Sequence, residues 1–144
     1  MKIRPALALE AGRLAFIAQS QPMSAHWGEK GMAGEIANAS ARVWCWEENG
    51  EVLGFLALRL AADVCEILNL AVLPQACRKG IGYGLLSYAL NDVRKSGGRT
   101  VTLEVNVHNL PAISLYTKAG LKELGRRAKF YDGKDDALIM GICL

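Results

Sequence analysis

Two side chains in this sequence, Glu104 and Tyr116, can between them take one proton and give one back. A carboxylate accepts a proton from an ammonium, directly or through a water. A phenol, with a reference pKa of about 10, can protonate a thiolate whose conjugate acid lies near 8.5. Glu104 sits in the run Thr100 to Val107, where Val101, Leu103, Val105 and Val107 alternate with Thr100, Thr102, Glu104 and Asn106. That period of two marks a strand with one polar face. It leaves open whether Glu104 is a proton acceptor or a solvated group on a sheet edge. Tyr116 falls on a short helix that Asn109 caps and Pro111 begins, a place where a tyrosine serves equally for packing. Asn109 either caps only or also hydrogen-bonds an amide of a ligand. His108 and Glu66 are the alternative bases.

A third stretch can hold an anion. From Arg78 the chain reads Arg-Lys-Gly-Ile-Gly-Tyr-Gly-Leu-Leu, and Ile81, Leu85, Leu86, Ala89, Leu90 and Val93 then recur at helical spacing until Gly97-Gly98 stops them. An apolar run of strand type, Cys65 to Leu73, comes before it and ends at Pro74. Strand, glycine loop and helix bring unpaired backbone N–H groups and the positive end of a helix dipole onto one point. Without side chains at Gly80, Gly82 and Gly84 a phosphate can approach the main chain closely. Arg78 and Lys79 add charge at the mouth. Two other phosphate loops fail here: Leu85 stands where a dinucleotide fingerprint needs its third glycine, and the Gly-Lys-Ser/Thr of a nucleotide P-loop is missing.

What remains, Arg78-x-Gly80-x-Gly82 ahead of an amphipathic helix, resembles the pyrophosphate loop of the GNAT superfamily of acetyl-CoA-dependent N-acetyltransferases. Cys77 stands where that loop usually has Gln or Arg. Asn69-Leu70-Ala71-Val72, Leu103-Glu104-Val105, Asn109, Ala112-Ile113-Ser114-Leu115-Tyr116 and the closing run Asp132 to Met140 are similar to its RimI-like branch. That branch acetylates the N-terminal alanine of a small-subunit ribosomal protein. The resemblance implies acetyl-CoA as co-substrate, no metal, and a single domain over residues 1–144. It further implies that the main chain of Leu70, Ala71 and Val72 binds the pantetheine arm. Arg78, Lys79, Gly80, Ile81, Gly82 and Tyr83 would hold the pyrophosphate, and Asn109 would contact the cofactor. Glu104 would be the general base and Tyr116 the general acid. The sequence departs from the branch at His26-Trp27-Gly28, where Pro-Trp-Ser is usual, and at the shortened segment around Lys129-Phe130-Tyr131. Both places shape the acceptor groove, so they bear on which amine is acetylated.

Composition bounds these readings. The chain has 144 residues, 51% of them hydrophobic and 22% charged, which is the balance of one globular domain. A net charge of +3 is too slight for a nucleic-acid partner and suits a protein that holds a small polyanion. No apolar run reaches the roughly 18 residues of a membrane span, and no signal-peptide layout opens the chain, so the expectation is a cytoplasmic protein with no membrane partner. Cys45, Cys65, Cys77 and Cys143 are scattered and read as reduced thiols. Cys77 has no base beside it in sequence, which favours direct attack of an amine on the thioester over an acyl-enzyme.

The elements that must position the site follow in order. A short strand at Lys2 to Arg4 ends at Pro5, and a helical stripe of Leu7, Leu14, Ala15, Ile17 and Ala18 runs to about Gln19. A second helix ends by Ala39, and a hairpin turns at Asn49-Gly50 between Val43–Trp46 and Val52–Leu60. After the strand at Cys65, the long helix, the strand at Thr100 and the short helix, two more strands turn at Asp132-Gly133. The order β-α-α-β-β-β-α-β-α-β-β matches a mixed α/β sheet of the acyl-CoA N-acyltransferase type. Trp27, Trp44 and Trp46 either line an acceptor cleft or pack. An α-amino group with pKa near 7.7 costs about 1 kcal/mol to deprotonate at pH 7, a lysine near 10.4 about 4.6. One carboxylate suits the first, so the expected acceptor is a protein N-terminus, probed here against two rivals: a small amine such as a polyamine or amino-sugar, and a non-catalytic acyl-CoA-binding module.

Overall fold

The computed structural model describes residues 1–131 and 133–144. In chain order the elements are β1 (Lys2–Pro5), α1 (Ala11–Gln19), α2 (Glu29–Ala37), β2 (Ala41–Glu48), β3 (Glu51–Ala61), β4 (Val64–Val72), α3 (Ile81–Lys95), β5 (Thr100–Asn106), α4 (Leu110–Lys118), β6 (Lys122–Tyr131) and β7 (Asp135–Cys143). The order is the one expected from the sequence, with single 3₁₀ turns added at Ala8–Glu10 and Pro74–Ala76. The strands form one sheet in the order β1-β2-β3-β4-β5-β7-β6. Every neighbouring pair is antiparallel except β4 and β5, which run parallel because the chain crosses over through α3 between them.

Local chemistry explains the boundaries. Asn49 and Gly50 both adopt left-handed backbone angles, φ 51° and 76°, the pair of conformations that closes a two-residue hairpin between twisted strands. Helix α2 stops at Ala37, two residues short of expectation, because Asn38 turns extended and its side chain takes the N–H of Ser40 at 2.8 Å. Leu7, expected in the stripe of α1, lies before the helix and is exposed; Ala11, Leu14, Ala15, Ile17 and Ala18 form the buried face instead. Strand β6 runs on past Arg127 to Tyr131, with an irregular register there and Lys129 at φ 49°. Of the expected turn at Asp132-Gly133, Gly133 is left-handed at φ 67° and Asp132 lies outside the described residues.

Strand β5 is a central strand, so Glu104 is not on a sheet edge. Helix α3 packs on β2, β3 and β4 through the apolar stripe read from the sequence, all six of whose residues are buried. Trp44 and Trp46, two apart on β2, both face this helix: Trp44 meets Tyr88 edge-on at 5.0 Å, and a Cβ on Gly84 would lie 2.6 Å from the Trp46 ring. They are packing residues. Gly84 is therefore glycine for closeness of approach, not for a turn. Leu56, Leu58, Leu85 and Leu86 fill the layer between α3 and the sheet, and Phe55 points from β3 to the opposite face; all five are fully buried. Among the described residues, no helix is long and apolar enough to cross a membrane.

The four thiols are free and fall into two classes. Burial pushes Cys45 up to about 12 and Cys65 up to about 11, while Cys77 and Cys143 are exposed. Since the thiolate is the reactive form, a disulfide reagent at about pH 8 should modify two thiols in the native protein and four after denaturation. Rapid native modification of a third thiol would show that the core around β2 or β4 opens.

Candidate active site

Parallel pairing of β4 with β5 lasts only from Val64–Thr100 to Ile67–Leu103. At that point β4 carries a bulge: Leu58 pairs with Ile67 and Ala57 with Asn69, so Leu68 is an extra residue opposite β3. A bulge bends its strand and sharpens the local twist. Beyond it β4 leaves β5, and the main chain of Leu68 to Val72 borders an open notch where a neighbouring strand would otherwise lie. The notch is a cavity of about 1060 Å³. One wall is β4 from Ile67 to Val72, the opposite wall is Leu103 to Asn106 of β5 with α4, and the start of α3 closes one end.

The closing end is the glycine loop. Arg78 and Gly80 are left-handed, φ 66° and 81°, which turns the chain sharply into α3. Gly80 is the N-cap and offers no side chain to the helix, so the first-turn amides of Ile81, Gly82 and Tyr83 have no partner from a capping side chain. A Cβ on Gly82 would stand 3.2 Å from Leu115, so the missing side chain there lets α4 come close to the loop. Lys118, on α4, lines the cavity beside it, with its ammonium 4.5 Å above the Tyr83 ring. An amide-lined helix start flanked by Arg78 and Lys118 fits a polyanion. Lys79 is exposed and outside the lining, so of the two basic residues read from the sequence only Arg78 faces the cavity.

Glu104 stands one residue past the last position of β5 that pairs with β4, at the floor of the notch. The polar face of β5 is thus turned to a cavity, not to bulk solvent. Its carboxylate meets the Arg127 guanidinium at 3.2 Å. Tyr116 reaches the same cavity from α4 but is almost wholly buried, and burial pushes its phenol well above the ordinary value, with Tyr131 nearby adding to the shift. The mismatch with a thiol near 8.5, modest for a free phenol, is therefore wider here, and Tyr116 stays protonated throughout the neutral range. Asn109 caps α4, accepting the N–H of Ala112 at 3.3 Å, and also lines the cavity.

Leu70, Ala71, Val72, Arg78, Gly80, Ile81, Gly82, Tyr83, Glu104, Asn109 and Tyr116 thus come together around one cavity. The alternative bases do not join them: Glu66 is exposed on the paired half of β4, and His108 points to Asp135 at 3.4 Å. None of the three tryptophans lines the cavity; His26 does. Several lining residues had no individual role assigned from the sequence. Tyr131, at the end of β6, is raised by burial and then by the charge of Glu104. Asn69 is buried on β4, donating to the carbonyl of Ala25 at 2.9 Å, with its carboxamide oxygen unpartnered. Gln21 donates to the carbonyl of Val72 at 2.7 Å. A polar Asn within an apolar strand was the one visible signal for these; the others depend on where loops fold.

Comparison with known proteins decides the family. Residues 13–121 match the family model described as acetyltransferase (GNAT) family. The chain belongs to the GNAT family. Acetyltransferases of this family use acetyl-CoA as donor. A [ribosomal protein bS18]-alanine N-acetyltransferase of Escherichia coli K12 is 33% identical over 121 residues, covering 81% of this chain and 80% of that protein. An N-alpha-acetyltransferase of Sulfurisphaera tokodaii is 33% identical over 107 residues, covering 65% and 64%. Among solved structures, the ribosomal-protein-S18-alanine N-acetyltransferase of Escherichia coli superposes with a TM-score of 0.89 at 28% identity, over 99% of this chain and 92% of the other.

The buried phenol sets a test on stability. Below about pH 10 a tyrosine is neutral in both folded and unfolded chains; above it the unfolded chain releases a proton that folded Tyr116 retains, so stability falls as pH rises. Tyr116→Phe should flatten that fall by up to about 1.4 kcal/mol per pH unit, read from urea midpoints between about pH 10 and 11.5. An unchanged slope would mean that Tyr116 ionises as readily in the folded protein as in the unfolded one.

Proposed function

We propose that this GNAT enzyme transfers the acetyl group of acetyl-CoA to the N-terminal amino group of a protein, with a ribosomal protein beginning in alanine as acceptor, in the cytoplasm. The observation that carries it is the meeting of Glu104 and Tyr116 in one notch, between an unpaired strand edge and an amide-lined helix start. The names of the relatives support the choice of acceptor.

The roles follow from position. Bound acetyl-CoA supplies an activated thioester carbonyl. The main chain of Leu70, Ala71 and Val72, free of a partner strand on the notch side, suits the amides of an extended pantetheine arm, and the amides of Ile81, Gly82 and Tyr83 with Arg78 suit the diphosphate. Lys79, off the lining, is left with a long-range electrostatic part. Asn109 keeps its carboxamide at the cavity while capping α4 and is the proposed contact to the pantetheine portion. Glu104 takes a proton from the acceptor's ammonium, so that the neutral amine attacks the thioester carbonyl directly. Tyr116 donates a hydrogen bond and its proton to the departing sulfur, and the second proton that the nitrogen sheds on becoming an amide restores the phenol through water. A donor held this strongly protonated acts mainly as negative charge develops on sulfur.

An α-amine needs only about 1 kcal/mol of deprotonation at pH 7, within reach of a single carboxylate. Glu104 and Asp135 are the only carboxylates among the described lining residues, too few for the ring of acids that a polyamine site would need. Kinetics of thiol release with an alanine-starting peptide test the assignment. Glu104→Gln should lower kcat by about 10²- to 10³-fold and Tyr116→Phe by about 10- to 100-fold. Full turnover in either variant would remove that residue from the mechanism. A peptide array varying the first residues, run beside polyamines and amino-sugars, should favour small N-terminal residues; preference for a free small amine would overturn the protein acceptor.

A further inference from the structure

Arg127 is bound to the carboxylate that does the proposed chemistry. It lies on β6 in register with Ala137, while Glu104 lies on β5 in register with Ile139, so the side chain reaches across β7 to bring Nη2 to 3.2 Å from Oε1. Its neighbour Arg126 faces other carboxylates, Glu123 at 3.7 Å and Asp136 at 4.0 Å. Arg127 has a different second contact. Its guanidinium stands 4.8 Å above the Phe130 ring, which meets Tyr131 edge-on at 5.0 Å, and Tyr131 lines the cavity. A planar cation resting on an aromatic face is held in orientation as well as in place.

We propose that Arg127 is a positioning residue for acetyl transfer, holding the Glu104 carboxylate turned into the notch until the acceptor's ammonium arrives. This rests on Glu104 as the base. A carboxylate in a partly closed cavity has few waters to orient it, and the guanidinium 3.2 Å away, itself fixed on the Phe130 ring, takes over that task. Because the Arg127 side chain is 55% exposed, the guanidinium can return to water when the ammonium takes its place, so neither cation is left dry. The other groups around Glu104 do not supply this charge. Tyr131 at the end of β6 and Tyr116 on α4 are neutral phenols. Asp135 on β7 is a carboxylic side chain already engaged by Asn106 at 3.1 Å and His108 at 3.4 Å. From the loop between α1 and α2, His26 reaches the cavity with its Nε2 on the carbonyl of Gln21 at 2.8 Å. Arg78 and Lys118 stand at the opposite, polyanion end.

Carbon-13 NMR of side-chain carboxyls tests the pairing without relying on activity, with the Glu104 signal assigned by its loss in Glu104→Gln. In Arg127→Gln the titration midpoint of Glu104 should rise relative to wild type, and in Arg127→Lys it should return most of the way. At about pH 7 loss of aim should lower kcat about three- to tenfold in Arg127→Gln, with partial recovery in Arg127→Lys. A midpoint that stays put in Arg127→Gln, or a lysine variant as impaired as the glutamine one, overturns the inference. Full turnover in Glu104→Gln would instead overturn the base itself, so the two failures are told apart.

Discussion

Everything at the site depends on a sheet that stops pairing in its middle. Strands β4 and β5 share four register pairs and then separate at the bulge around Leu68. In a central pair of strands such a gap would ordinarily leave a row of backbone amides and carbonyls without partners. Here the row lines a cavity. The same separation exposes the face of β5 that carries Glu104, and it opens toward the start of α3, so the proposed pantetheine edge, the proposed diphosphate amides and the proposed base all come from one irregularity. Side-chain hydrogen bonds to the segment after α1 fasten its rim: Gln21 holds the carbonyl of Val72, and Asn69 holds that of Ala25.

The two proton-handling groups occupy unlike surroundings, and that difference divides their roles. Tyr116 is packed into α4 against the sheet, where burial favours the neutral phenol. Glu104 keeps some access to water and has a guanidinium neighbour. The proposed acid is thus the group that packing keeps neutral, and the proposed base the one that stands beside a cation. Tyr131 lies between these regimes, partly buried and facing the charge of Glu104.

Much of this was legible in the residue order. The period of two in Thr100–Asn106, the stripe of α3, the Asn-Gly hairpin and the Asn109 cap are local signals, and each formed the element it specified. The glycines around Gly80 announced an anion cradle because their use is a backbone property that needs no tertiary knowledge. Periodicity was silent on matters settled across the sheet. It gave Glu104 a polar face but not its surroundings, since centre or edge depends on strand order. It gave no hint of Arg127 reaching over β7, or of Lys118 standing by the cradle while Lys79 turns outward, because such encounters depend on register and on helix rotation between distant segments. Leu7 misled because its spacing fits a helix that had not yet begun.

The contact between Gly84 and the Trp46 ring carries one more implication. An indole resting against a bare helix backbone works as a spacer of fixed thickness, pinned at its nitrogen by Glu48 at 3.0 Å. It sets how high the first turn of α3 rides above the sheet. The proposed diphosphate cradle is part of that turn and the proposed pantetheine edge belongs to β4, so the thickness of one ring fixes the span between them.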